Sequence, residues 1–253
     1  TPRTSSAASD VYKRQYQAKT TPHPLGLEID HAKGSYLFDT SGKSYLDFIA
    51  GVSALPLGHS HPKVVNALKD QIEKYMHVMV YGEFAQAPSV ALCKKLIALL
   101  PPSHEQIYLT NSGTEAIEGA LKLAKRSTQK TKLIAAHNSY HGSTHGALSL
   151  LGYEHQKKGY RPLLPGVRFI AFNDEKDLDQ IDSNTAAVLL ETIQGGAGFI
   201  LPEDNYLKKV KNRCDAVGAL LILDEIQPGF GRTGKMFGFE NFGVVPDLSL
   251  IHI

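Results

Sequence analysis

Ala187 to Glu225 reads AVLLETIQGGAGFILPEDNYLKKVKNRCDAVGALLILDE. It opens on one apolar run, Ala187-Val188-Leu189-Leu190, and closes on another, Leu220-Leu221-Ile222-Leu223. Between them Tyr206 to Val217 reads as a helix. A strand, a helix and a second strand in succession imply a right-handed crossover and a parallel pair. Neither run has the polar alternation of a half-solvated strand, so the sheet is expected to be covered on both faces. Further apolar runs at Ile107-Tyr108-Leu109, Leu133 to Ala136 and Val167 to Phe172 extend the pattern, with a helix near Thr114 to Ser127. The fold class is α/β with a mostly parallel sheet. Ligands of such sheets bind beyond the carboxyl ends of the strands, so the chemistry is sought there.

Upstream the pattern differs. Tyr36 to Phe48 holds two apolar alternations around Ser41-Gly42 and reads as a hairpin. Pro62 opens a helix with Val64, Val65, Leu68, Ile72 and Met76 at helical spacing, and a second helix runs near Pro88 to Leu100 before Pro101-Pro102 stops it. No repeat or low-complexity linker interrupts the chain.

Composition narrows the class. The 253 residues are 42% hydrophobic and 21% charged, values of a globular chain rather than a disordered or collagenous one. A net charge of +2 gives no field that would draw nucleic acid or an acidic membrane. Two cysteines, Cys93 and Cys214, build no disulfide framework and fit a reducing compartment, so a cytoplasmic location is expected. The longest apolar runs fall far short of a membrane span. Residues 1–15 lack the apolar core of a signal peptide and carry the whole charge excess. They resemble translated sequencing-adapter sequence, as does Leu248-Ser249-Leu250-Ile251-His252-Ile253. The expected organisation is a non-native tail over 1–15, an N-terminal segment over 16–80, a ligand-binding large domain over 81–247 and a second tail over 248–253. For the two ends, a disordered tail and a short buried strand is the alternative.

Four strand ends carry the candidate chemistry. In Leu109 to Glu115 a strand turns through Gly113 into a helix. Ser112 and Glu115 have capping-box spacing, and the free N–H groups with the Thr114 hydroxyl make an anion site. An ordinary capped helix is the competing reading. No Walker lysine follows, which argues against a nucleotide P-loop. Asp224-Glu225 end a wholly apolar strand, where an ionised carboxylate needs a cationic partner such as a protonated pyridine nitrogen. A metal pair or a solvated strand end is the alternative there. Tyr140, in Ser139-Tyr140-His141-Gly142, offers a flat face to a ring ligand. His137, His141 and His145 recur every four residues, but Gly142 and Gly146 interrupt the helix and no carboxylate completes a metal set. Glu191 to Gly198 gives a strand, a polar pair and a glycine-rich loop.

Taken in order, Asn111-Ser112-Gly113-Thr114-Glu115-Ala116, Tyr140-His141-Gly142, Glu191-Thr192-Ile193-Gln194-Gly195 and Asp224-Glu225-Ile226-Gln227-Pro228-Gly229-Phe230-Gly231-Arg232-Thr233-Gly234 resemble the motifs of class III aminotransferases of the ornithine, acetylornithine and 4-aminobutyrate type. Gly51 to Pro62 resembles that family's N-terminal pocket segment. Ile117 and Pro228 depart from it, where Asn and Thr are common. The resemblance implies the large domain of a fold-type-I transferase dependent on pyridoxal 5′-phosphate, with helices on both sheet faces. Ser112, Gly113 and Thr114 would hold the cofactor phosphate. Tyr140 and Ile226 would sandwich the ring, Asp224 would pair with the ring nitrogen and Gln227 with the ring hydroxyl. His141 and Glu191 would complete the pocket. No metal is implied.

The resemblance also implies a lysine that forms a Schiff base with the cofactor and shuttles a proton. Counting from Asp224 brings it to position 253, which is Ile253. The expectation is an amino acid donor, ornithine- or acetylornithine-like or an omega-amino acid, a 2-oxo acid acceptor such as 2-oxoglutarate and a homodimeric parent. The small C-terminal domain is expected to be absent, and this chain itself to be inactive. The alternatives are a lysine-less binding protein and a metal-dependent hydrolase using the histidines with Asp224-Glu225.

Overall fold

The computed structural model describes Tyr16, Ala18 and residues 25–79 and 82–251, so residues 1–15 and Ile253 lie outside it. The chain divides between Phe84 and Ala85 into two compact units.

In the N-terminal unit β1 (Ile29–Lys33), β2 (Tyr36–Asp39) and β3 (Ser44–Leu46) form an antiparallel meander. β2 and β3 are the expected hairpin. The Asp39 carboxylate closes their turn by accepting from the N–H groups of Ser41 and Lys43 and from the Ser41 hydroxyl. β1, which reads Ile-Asp-His-Ala-Lys, has too little β-branched and aromatic content to announce itself. α1 (Pro62–Ile72) begins at the expected proline, yet none of its residues is buried.

The second unit opens with α2 (Ala87–Leu99) and α3 (Gly113–Thr128), followed by β4 (Lys132–Ala136), α4 (His145–Ser149) and α5 (Glu154–Lys157). Then come β5 (Val167–Ile170), β6 (Thr185–Glu191), α6 (Tyr206–Val217), β7 (Leu220–Asp224) and β8 (Leu248–Leu250). The strands form one parallel sheet in the order β5-β4-β6-β7-β8. β8 lies within the segment expected as a tail and pairs Leu248 with Ile222 and Leu250 with Asp224.

Side-chain alternation explains the continuous apolar runs. Ile134, Val188, Leu190, Leu221 and Leu223 pack on one face with Leu96 of α2 and Leu207, Val210 and Cys214 of α6. Leu133, Ala135, Ala187, Leu189 and Ile222 pack on the other with Ile117, Leu121 and Ala124 of α3. The inner strands β4, β6 and β7 therefore bury both of their faces. Ile107-Tyr108-Leu109 corrects an expectation: it is not a strand. Ile107 packs against the core while Tyr108 is 83% exposed, so its apolar residues anchor a connection without a backbone ladder.

Candidate active site at the carboxyl ends of the sheet

Ser112 is the N-cap of α3, with extended φ −154° and ψ 159°. Its Oγ accepts the Glu115 N–H at 3.3 Å, and the Glu115 carboxylate returns to the Asn111 N–H at 2.8 Å. The expected capping box is thus made with its second arm one residue upstream. The first helical bond runs from the Ala116 N–H to the Ser112 carbonyl. The N–H groups of Gly113 and Thr114 precede it, so they have no intrahelical acceptor and sit at the positive end of a 16-residue helix. Because Ser112 Oγ accepts from Glu115, its own hydroxyl proton remains for a further acceptor.

Three carboxylates end β6 and β7. The parallel register sets Glu191 directly opposite Asp224. Asp224 is 5% exposed; its Oδ2 lies 2.9 Å from His141 Nδ1 and its Oδ1 accepts the Ile226 N–H at 3.1 Å. The other ring nitrogen of His141, Nε2, is buried without a partner. Glu191 is 8% exposed; Oε1 accepts the Tyr140 N–H at 3.4 Å and Oε2 is buried and unpartnered. Burial first, and the neighbouring Asp224 second, push the Glu191 carboxyl up to about 8. Glu225 is fully buried and accepts from the Thr192 hydroxyl and from the N–H groups of Gly238 and Phe239, which open a 3-10 turn at Gly238–Phe242. Burial pushes its carboxyl up to about 7 against the pull of those three donors.

Pairwise contacts knit the four motifs together. His141 meets Asp224, and the Tyr140 backbone meets Glu191. A Cβ on Gly113 would collide with Ile226 Cδ1, and one on Gly195 with the Gln227 side-chain oxygen. Only glycine lets these segments approach so closely. Gly113 therefore makes room for Ile226 as well as leaving its backbone open. The Tyr140 side chain is 51% exposed and presents a ring at the rim. The histidine triplet does not share a helix face, since α4 begins only at His145. His137 lies against the Phe169 ring, His145 Nε2 is 3.2 Å from the Pro162 carbonyl and His141 faces Asp224. Among the described residues no group of three or more His, Cys, Asp or Glu is placed to hold a metal.

Two residues take roles that their motifs do not announce. Glu225, read from the sequence as half of a possible metal pair, instead holds three protein donors. Gln194, named there only as part of a motif, is 2% exposed with its amide on the His137 carbonyl at 2.6 Å.

The chain is similar to known proteins along nearly all of its length. A family model described as Aminotransferase class-III matches residues 16–252. The acetylornithine aminotransferase of Clostridium acetobutylicum is 41% identical over 236 residues, covering 90% of this chain and 59% of that protein. A [LysW]-aminoadipate semialdehyde/glutamate semialdehyde transaminase of Sulfurisphaera tokodaii is 40% identical, covering 88% and 57%. Among solved structures, the ornithine aminotransferase of Toxoplasma gondii, described with partial occupancy of PLP at its active site, superposes with a TM-score of 0.91. It is 32% identical, over 97% of this chain and 59% of that one. The chain thus spans less than two thirds of the length of these relatives. A match over nearly all of the chain, with the family's motifs in contact at the sheet's carboxyl ends, places it in the class-III aminotransferases, a family whose cofactor is pyridoxal 5′-phosphate.

Proposed function

We propose that this chain is the cofactor-binding part of an aminotransferase that moves an amino group from an ornithine- or acetylornithine-like amino acid to a 2-oxo acid such as 2-oxoglutarate. The observation that carries the proposal is the juxtaposition of Asp224, His141 and Glu191 at the strand ends, in contact through Ile226 with the open N-terminus of α3.

The residues present fit the cofactor. The unpartnered N–H groups and the Ser112 hydroxyl suit a phosphate. Asp224, which faces Glu191 and is held by His141, would receive the protonated ring nitrogen. When bound, the cofactor withdraws electrons from the substrate Cα. Asp224 would keep the ring nitrogen protonated, and His141 fixes the carboxylate by occupying Oδ2. Ile226 and Tyr140 would bracket the ring, and Gln227 would hold its hydroxyl. Glu191 shapes the pocket floor beside Asp224. The relatives' printed names support the donor class, since one is an acetylornithine aminotransferase and another a [LysW]-aminoadipate semialdehyde/glutamate semialdehyde transaminase. The resemblance further supports a cytoplasmic homodimer for the parent protein. Cys93 and Cys214 are both free, and no helix of the described residues is long and apolar enough to cross a membrane.

Ile253 stands where the family's lysine is expected, so this chain binds the cofactor without turning over substrate. That residue also favours the second reading, a binding protein without catalysis. The test is an Ile253→Lys variant, incubated with pyridoxal 5′-phosphate, reduced with borohydride and mapped by mass spectrometry. The expected result is an adduct concentrated at position 253. An adduct scattered over surface lysines, or transamination by the unaltered chain, contradicts the assignment.

A further inference from the structure

Thr114 follows Gly113 at the start of α3, and its hydroxyl lies 2.7 Å from that of Thr144. Thr144 Oγ1 is in turn 2.5 Å from Glu118 Oε1. The same carboxylate oxygen receives the N–H groups of Gly146 and Ala147 at 2.8 and 3.1 Å. An oxygen already holding two backbone donors acts as an acceptor, so the Thr144 hydroxyl proton points at Glu118. A hydroxyl has one proton, and that of Thr144 is committed. The proton between the two threonines therefore belongs to Thr114. The Thr144 N–H, 3.4 Å from Thr114 Oγ1, adds a donor that faces Thr114 as an acceptor.

We propose that Glu118 and Thr144 are positioning residues that aim the Thr114 hydroxyl proton away from the anion site at the start of α3. This rests on the cofactor-binding reading and refines it. Thr114 contributes its backbone N–H to the phosphate and withholds its hydroxyl. The hydroxyl donor of the site is Ser112, whose proton the Glu115 N–H leaves free. The packing agrees with a fixed arrangement. A Cβ on Gly142 would meet Thr114 Oγ1 at 2.5 Å, and one on Gly146 would collide with the Glu118 carboxylate, so both neighbours are glycines. Thr114 is thereby pressed against the segment that carries Tyr140 and His141.

The probe is a pair of ligands, pyridoxal 5′-phosphate and pyridoxal, titrated into the full chain and followed by ultraviolet absorbance. The ratio of their dissociation constants isolates the phosphate contribution, and the ³¹P chemical shift of the bound phosphate gives a second readout. A purely structural role changes both affinities together and leaves the ratio unmoved. Thr114→Val is expected to hold the ratio within about twofold, whereas Ser112→Ala lowers it about tenfold, the scale of one hydrogen bond to a charged group. Thr144→Val, at an exposed position, releases the Thr114 proton and raises the ratio several-fold with a shift in the ³¹P signal. The Thr114→Val/Thr144→Val double variant cancels that gain. Glu118→Ala removes the acceptor of the Thr144 hydroxyl and raises the ratio as Thr144→Val does, and Glu118→Gln, which keeps an acceptor oxygen there, restores it. A tenfold loss of ratio in Thr114→Val, or no gain in Thr144→Val while Ser112→Ala still loses affinity, overturns the positioning role alone. A ratio near one in the unaltered chain overturns the anion site and the relay with it.

Discussion

Glu191→Gln should flatten the pH dependence of stability. Glu191 is 8% exposed, with Oε2 unpartnered and Asp224 opposite it in register. Its carboxyl rises from 4.5 to about 8 in the folded chain. A folded pKa above the unfolded one means that the native state holds the proton more tightly. The stability is therefore fully present below about 4.5 and is lost as the pH climbs towards 8. At about 1.4 kcal/mol per unit the upper limit is about 5 kcal/mol, and side-chain relaxation and water penetration bring the expected loss to about 2–3 kcal/mol. A glutamine keeps the acceptor for the Tyr140 N–H and removes the charge. Urea unfolding followed by circular dichroism, at steps from pH 5 to pH 8.5, measures the difference. The unaltered chain should lose stability across this window, and Glu191→Gln should lose about 2 kcal/mol less. Glu225, pushed up to about 7, leaves a residual slope in both. Parallel curves for the two proteins would refute the placement of an unpaired carboxyl in a dry site.

Glu225→Ala should destabilise the second unit by about 3 kcal/mol, because three buried donors lose their acceptor, and Glu225→Gln by much less; urea midpoints at pH 6 separate the two. Gly113→Ala should cost about 1–3 kcal/mol by driving a methyl into Ile226 Cδ1, and Ile226→Val, which deletes that carbon, should recover most of it in a double-variant cycle. His141→Phe should strip Asp224 of its buried partner and weaken pyridoxal 5′-phosphate binding about tenfold, read by absorbance titration; unchanged affinity would dissociate His141 from the site.

The sheet was legible because its inner strands bury both faces. Runs such as Leu220 to Leu223 have no polar residue to confuse the assignment, and Gly218 and Asp224 mark their limits. Ile107 to Leu109 misled because three apolar residues look alike whether they pair in a ladder or merely pin a loop. The apolar stripe of α1 was read correctly as helical, but periodicity reports which side chains share a face and not what covers it. At the site, the motif residues were visible because glycines and carboxylates at strand ends are hard to explain as scaffold. Their partners were not. Glu118 and Thr144 are separated by 26 positions and meet only because α3 and α4 pack on the same sheet face. Glu225 looked interchangeable with Asp224 until alternation sent one towards His141 and the other towards Gly238.

The central claim is that the carboxyl ends of β6 and β7, with the start of α3, hold pyridoxal 5′-phosphate. Titration of the 253-residue chain with this compound, beside an Asp224→Ala variant of verified fold, tests it most directly. Saturable binding at one site per chain, weakened tenfold or more by Asp224→Ala, is the predicted result. Equal binding by the two proteins, or none by either, would contradict the account.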